Sequence, residues 1–297
     1  MKALTWGYTT GLVIEAQSSG KLQDFLDELN VFNRALLNYQ ELVSVLEDPM
    51  VKSEAKILTV NDLLSGASTR FIKLCVVFAI KTERPSELRE TLSEIYRKSM
   101  DHQSESWVES GSEPMSSRQV ARDRMLGFVK FYCDYAEGSA DLDLIEDQVF
   151  DFARTAEKNS QLRWALADLV IPVRNRVALL DEVLSGANEV TKKLCRYVLL
   201  AGRMRDVVSA FDEIAYEISK QRGRRIAEVR SAVSLSQEQT TKLKQYLTDL
   251  EQIPVELRVV IDPELIAGII LTVGNKMLDT SFRSKINELS QELSEAV

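Results

Sequence analysis

Leu64-Ser65-Gly66-Ala67 returns as Leu184-Ser185-Gly186-Ala187, and Leu74-Cys75 returns as Leu194-Cys195. The offset is 120 positions in each case, and it holds without a gap from residues 7–99 to residues 127–219. Gly7-Tyr8 answers to Gly127-Phe128, Ala16 to Ala136, Asp27 to Asp147, Phe32 to Phe152, Arg34 to Arg154, Asp48 to Asp168 and Tyr96 to Tyr216. Identity between the copies is roughly a fifth and falls mostly on apolar and turn positions, the mark of one supersecondary module used twice.

Within the first copy the apolar spacing predicts helices. Residues 3–18 carry Tyr8, Leu12 and Val13 on one face. Leu22, Phe25, Leu26, Leu29, Phe32 and Leu36 recur at steps of three and four, so 20–38 reads as an amphipathic helix. Leu42, Val45 and Leu46 make a short third helix that stops at Asp48-Pro49, where proline restricts its neighbour. A fourth starts at Ser53 and ends near Gly66, read as a C-cap. Ser68 or Thr69 caps a fifth through Phe71, Leu74, Val77 and Phe78, and Pro85 opens a sixth through Leu88, Leu92, Ile95 and Tyr96. The second copy repeats the scheme at 120–137, 141–157, 160–167, 173–184, 188–203 and 205–221, with Gly186 again read as a cap. Short connections between helices predict antiparallel neighbours and compact bundles.

Residues 101–119 are polar, with Gly111 and Pro114, and read as a linker. Trp107 within it either packs back on the preceding helix or meets a partner. After residue 222 the period changes. Ile226–Val233 and Val255–Ile261 alternate like strands, flanking a helix capped by Ser234 or Ser236. Asp262-Pro263 turns the chain, Gly268–Val273 is a strand, Gly274-Asn275 a tight turn and Lys276–Asp279 the return strand. A closing helix runs from Ser281 to Leu293, with Phe282, Ile286, Leu289 and Leu293 as its apolar stripe. The predicted fold is mostly α: two tandem six-helix bundles (1–100 and 120–222, joined by 101–119) followed by a small α+β domain at 223–297.

Composition narrows the function. A net charge of −8 argues against clamping a phosphate backbone, so nucleic acid is not an expected partner. Three cysteines are too few for a disulfide framework, and Cys75 and Cys195 lie at matching places in apolar runs, where they read as core residues. The N-terminus does not read as a signal peptide, and no run of about 18 apolar residues occurs. A reducing cytoplasmic compartment fits, with the membrane reached only through a partner.

Catalytic chemistry is sparse. The single histidine, His102, lies in the linker with no ligand set around it, and no phosphate-cradling glycine loop or dinucleotide fingerprint appears. No catalytic residue, metal site or cofactor is expected. The carboxylates Asp141, Asp143, Glu146 and Asp147 sit in the first turns of a helix, where the dipole favours them. Arg222, Arg224 and Arg225 suit either a helix C-terminus or an acidic partner helix. Function therefore falls to surfaces. The opening helix of the second copy carries Phe128, Phe131, Tyr132 and Tyr135, which span more than one of its faces. One face must pack inside, and the other has room for a partner helix.

The tail carries a resemblance. Ile261-Asp-Pro-Glu-Leu-Ile-Ala-Gly-Ile-Ile-Leu-Thr-Val-Gly-Asn-Lys-Met-Leu-Asp-Thr-Ser-Phe-Arg-Ser-Lys-Ile286 resembles the signature of the delta subunit of F-type ATP synthases, the oligomycin-sensitivity-conferring protein family. Ala267, Asn275 and Thr280 depart conservatively from it. Gly127–Ala136 resembles that family's opening helix, and an extra bundle in front is similar to actinobacterial members. The resemblance implies a non-catalytic stator subunit. It would bind alpha (and beta) subunits of the catalytic head through alpha N-terminal helices, and the b subunit of the peripheral stalk. It would sit peripherally on the cytoplasmic face of the plasma membrane, as part of the complex. It also implies sites: Phe128, Tyr132, Tyr135, Leu194 and Tyr197 for an alpha-subunit helix, and Phe282 and Ile286 for the b stalk. Tyr132→Asp would then weaken helix binding without unfolding the domain. The opening helix of the first copy has Trp6 and Tyr8 but mostly small residues after them, which points to a spacer or a stalk contact. The competing reading is a free-standing helical adaptor for other amphipathic partners.

Overall fold

The computed structural model describes residues 2–101, 117–136, 141–274 and 276–286. Trp107, His102 and most of the linker lie outside these residues, as does the closing helix beyond Ile286. The chain is mostly helical, with one small sheet near its C-terminus. It divides into two compact units, Met1–Ile214 and Ala215–Val297.

In the first unit, α1 (Ala3–Ser18), α2 (Leu22–Asn38), α3 (Gln40–Glu47), α4 (Ser53–Leu63), α5 (Arg70–Thr82) and α6 (Leu88–Asp101) come from the first copy. A 3-10 turn at Pro85–Glu87 leads into α6. The second copy supplies α7 (Arg118–Tyr135), α8 (Asp141–Lys158), α9 (Ser160–Ala167), α10 (Val173–Val183), α11 (Glu189–Leu200) and α12 (Val207–Gln221), the last crossing the unit boundary. The amphipathic reading of α2 is met at each position: Leu22, Phe25, Leu26, Leu29, Phe32 and Leu36 are all buried.

Local rules are repeated in kind. The α3–α4 and α9–α10 turns are closed alike: Met50 N–H donates to Asp48 Oδ1 at 2.8 Å, and Val170 N–H to Asp168 Oδ1 at 2.9 Å. Gly66 and Gly186 do not cap as expected; α4 and α10 end at Leu63 and Val183, and neither glycine takes a left-handed conformation.

The N-terminus of α5 is held from across the module, and that of α11 both by its own Asn188, whose Oδ1 accepts from Val190 N–H at 2.8 Å, and from across the module. Ser68 and Thr69 make no cap of their own. Instead Glu28 of α2 accepts from Ser68 N–H at 2.5 Å, Ser68 Oγ at 2.9 Å and Thr69 N–H at 3.2 Å, and also from the Thr69 hydroxyl. Gln148, 120 positions on, does the same for the second copy, accepting from Asn188 N–H at 2.9 Å and Thr191 Oγ1 at 2.8 Å.

Partial burial alone would raise the Glu28 carboxyl. The hydrogen bonds from Thr69 and Ser68 outweigh it and hold the group below its ordinary value of 4.5. A carboxyl depressed by folding contributes stability above its unfolded pKa and loses it as pH falls through the folded value. Glu28→Gln, which imitates the second copy, is therefore expected to leave a protein whose urea midpoint falls less between pH 7 and pH 3 than the parent's. Parallel pH profiles for the two would remove Glu28 from the account.

The second unit pairs β1 (Arg225–Ser231), β2 (Val255–Ile261), β3 (Ile269–Val273) and β4 (Lys276–Asp279) in the order β2-β1-β3-β4. β1 and β2 are parallel, and the chain crosses between them through α13 (Gln237–Glu251); the other pairs are antiparallel. Ser236 closes a capping box with Gln239 at the start of α13. Ala227, Val229, Val255, Leu271 and Val273 pack with Leu247 of α13 in the core. The register sets Leu278 opposite Leu271 and Met277 opposite Thr272. Arg224 and Arg225, read as helix-end charges, pair instead with Glu256 and Glu251 of this unit.

Candidate functional site

The aromatic helix α7 is the first place to look. Ser117 caps it, its Oγ accepting from Val120 N–H at 3.3 Å. Phe128, at 0% exposure, stacks on Tyr197 of α11 with centroids 4.0 Å apart and planes within 5°, inside its own module. Tyr132, Leu194 and Tyr197 are buried too, at 2%, 2% and 6% exposure, and Tyr135 is partly buried. Four of the five residues assigned to an outside helix are thus enclosed, and Tyr132→Asp would place a charge in a filled core rather than probe an open groove.

Against α7 lies α1. A Cβ on Gly7 would stand 1.8 Å from the Arg124 carbonyl oxygen, and one on Gly127 would stand 1.9 Å from the Leu4 carbonyl oxygen. Real Cβ atoms do not approach backbone so closely, so only glycine fits at either place. The two contacts are images of each other, since 124 is 4 and 127 is 7 advanced by the repeat. Gly11 is close to Phe131, its own repeat partner, with a built Cβ only 2.7 Å from the ring. Contacts advance together along both helices, Leu4 beside Gly127, Gly11 beside Phe131 and Glu15 beside Tyr132, so α1 and α7 run in the same direction about a local pseudo-two-fold.

Polar groups finish the seam. Tyr8 stacks on Phe78 of α5 (3.7 Å), meets Phe131 edge-on (5.4 Å), and donates to Asp134 Oδ2 at 3.1 Å. Tyr132 donates to Glu15 Oε2 at 3.3 Å, and Lys193 of α11 pairs with the same carboxylate at 2.6 Å. Burial, seconded by these carboxylates, raises both phenols well above their ordinary range, so they act as neutral donors. On the far side, Phe71 of α5 stacks on Tyr135 at 6.0 Å, with the Arg70 guanidinium 4.3 Å from that ring. Thr9 and Thr10 return their hydroxyls to the carbonyls of Thr5 and Trp6 at 2.8 and 2.9 Å, which lets polar residues be buried. The small residues of α1 form the closely packed half of a helix pair with α7.

The described cysteines are not poised as nucleophiles. Cys75 and Cys195 are fully buried, and burial pushes the Cys75 thiol up to about 12 and Cys195 higher. Among the described residues no group of three His, Cys, Asp or Glu side chains is placed to hold a metal, and no helix is long and apolar enough to cross a membrane.

In the second unit, Phe282 and Ile286 are 51% and 42% exposed. Ser281 Oγ accepts from Ser284 N–H at 3.2 Å, and Ser281 N–H donates to Asp279 Oδ1 at 2.8 Å, which fixes the start of this helical stretch. Leu278, Met277 and Ile266 of the same unit are also exposed. Sequence reasoning placed these two site residues on a surface and missed the α1 half of the seam: Gly7, Gly11, Glu15 and, on α11, Lys193. The pattern Gly7-x-x-x-Gly11, with glycine again at 127, was the signal available.

The family model described as ATP synthase delta (OSCP) subunit matches residues 5–113 and 132–293. ATP synthase subunit delta of Beutenbergia cavernae is 33% identical over 159 residues, 53% of this chain and 59% of that protein. ATP synthase subunit b-delta of a Mycobacterium species (strain KMS) is 33% identical over 161 residues, 53% of this chain and 36% of that protein. The matched stretch therefore spans less than two thirds of either relative. A chain in the Toxoplasma gondii mitochondrial ATP synthase hexamer superposes with a TM-score of 0.38 at 12% identity, over 58% of this chain and 96% of that one.

Proposed function

The chain belongs to the ATP synthase delta (OSCP) subunit family, and from that premise we propose that it is a non-catalytic stator subunit, joining the catalytic head of a proton-translocating ATP synthase to its peripheral b stalk. The observation that carries the reading is the family match through both copies and the sheet unit. Supporting it are apolar side chains left on the surface of the second unit. We read residues 1–100 as an added copy of the bundle, 101–119 as the join, 120–222 as the ordinary delta bundle and 223–297 as the stalk-binding domain. Its partners are the alpha and beta subunits of the head and the b subunit. It reaches the cytoplasmic face of the plasma membrane through them. A stator resists torque by stiffness, and a body whose two modules share backbone-to-backbone packing suits that task.

Phe282 and Ile286 are the proposed b-stalk contacts. Phe282→Asp is expected to weaken binding of a C-terminal b-subunit segment by about tenfold or more, since exposed aromatic anchors dominate such interfaces. Circular dichroism should be unchanged, because the ring is half exposed. Equal calorimetric affinity for parent and variant would remove Phe282 from the contact. For the function as a whole, affinity purification of the tagged chain from its own cells is expected to bring down b and head subunits. Their absence would sink the stator reading and leave the free-standing adaptor.

A further inference from the structure

We propose that each module is the resident helix ligand of the other, so that the faces of their first and fifth helices are closed to outside helices; this rests on the stator reading above only for the identity of the helix excluded. The arrangement is reciprocal. α1 lies on α7 and α11, through Gly7 and Gly127, Gly11 and Phe131, and the bonds of Glu15 to Tyr132 and Lys193. α7 lies on α1 and α5, through Tyr8 with Asp134 and through Tyr135 with Phe71 and Arg70. The aromatic surplus of α7, too large for one face, is thereby used on both sides within the chain.

The fit is also selective. It takes a parallel helix with glycine at the crossing, small residues beside it and a carboxylate about two turns on. A helix bearing any Cβ at the Gly7 position would strike a carbonyl oxygen. Buried phenols on both helices already have acceptors, and Lys193 already has its carboxylate. An entering helix would have to replace all of these at once. Whatever the chain holds in the head, it holds on other surfaces.

Two measurements on the full chain test this. A protease site is inserted within residues 102–116 and cut. The two pieces are expected to co-elute as one particle of the intact size. Separation of the unsubstituted pieces would overturn the proposal. In the cut protein, Glu15→Lys alone and Lys193→Glu alone should each weaken the association by on the order of tenfold, and the pair together should restore most of it. Failure of the double variant to recover would count against a specific seam.

The second measurement adds a synthetic peptide matching the N-terminal segment of an alpha subunit and follows hydrogen exchange. Amides of α1, α7 and α11 should be unchanged by the peptide. Faster exchange across Ala3–Ser18, or protection of α7 with α11, would mean that the outside helix displaces the resident one, and the closure would be refuted while the stator reading stood. Absence of peptide binding anywhere would agree with closed faces and count against the head contact instead.

Discussion

Gly127→Ala is expected to lower the thermal midpoint of the helical unit by roughly 6–12 °C, from an overpacking cost of about 3 kcal/mol in a unit of this size. The added methyl would sit 1.9 Å from the Leu4 carbonyl oxygen, on backbone that cannot rotate away. The helices must part, and parting also loosens Phe131 against Gly11 and Tyr132 against Glu15. Gly7→Ala should behave alike, because its methyl meets Arg124 backbone at 1.8 Å. The sharper result concerns the two together. Once one methyl has forced the crossing open, the second finds room, so the double variant should lose clearly less than the sum of the singles. Calorimetric midpoints of the four proteins decide it. Additive losses would mean that the contacts are relieved separately, and small losses that the crossing yields readily to a methyl group.

Arg203→Ala is expected to cost about 3 kcal/mol, because removing one member of a buried ion pair strands the other. The Arg203 side chain is 2% exposed and holds Asp206 at 2.5 Å and Glu213 at 2.8 Å. Burial alone would lower its pKa. The hydrogen bonds to Asp206 and Glu213 outweigh that and raise it, so it stays charged. Each carboxylate keeps one exposed arginine of α7, Arg118 at 3.1 Å and Arg122 at 3.2 Å, which limits the loss. Arg203→Met, which preserves the stem but not the charge, should recover part of it. A urea midpoint for Arg203→Ala equal to the parent's would show the network to be ornamental.

Helix positions were legible because α2, α5 and α8 each turn a broad apolar stripe inward, and the sheet because its strands alternate and its turns carry glycine or proline. α13 was placed by the Ser236 cap. What periodicity could not give was the partner of each face. In α1, Thr5, Thr9 and Thr10 look like a solvated side, yet they are buried, since Thr9 and Thr10 bond carbonyls of their own helix and Thr5 donates to Glu83. For the same reason Phe128, Tyr132, Leu194 and Tyr197 were legible as apolar but not as enclosed. A cap supplied from another helix, as Glu28 supplies that of α5, leaves no local mark at Ser68, whereas Asn188 marks the start of α11 with its own side chain. The tail motif placed Phe282 and Ile286 on an apolar stripe, and both side chains are exposed.

The crossing of α1 and α7 also bears on how the two copies can diverge. Where a repeat meets its own image, a single inherited change alters one side of a shared contact, and the other side must already tolerate it. Gly7 and Gly127 are locked together in this sense: neither can gain a side chain while the other helix stays where it is. Away from the crossing, drift is free to run and be mended locally. Lys2 pairs with Glu83 in the first copy, whereas the corresponding positions of the second are Arg122 and Arg203, a reversed sign at the buried site, and both arginines turn to Glu213. The seam should thus be the slow-changing record of the original duplication, and the ion pairs around it the fast one.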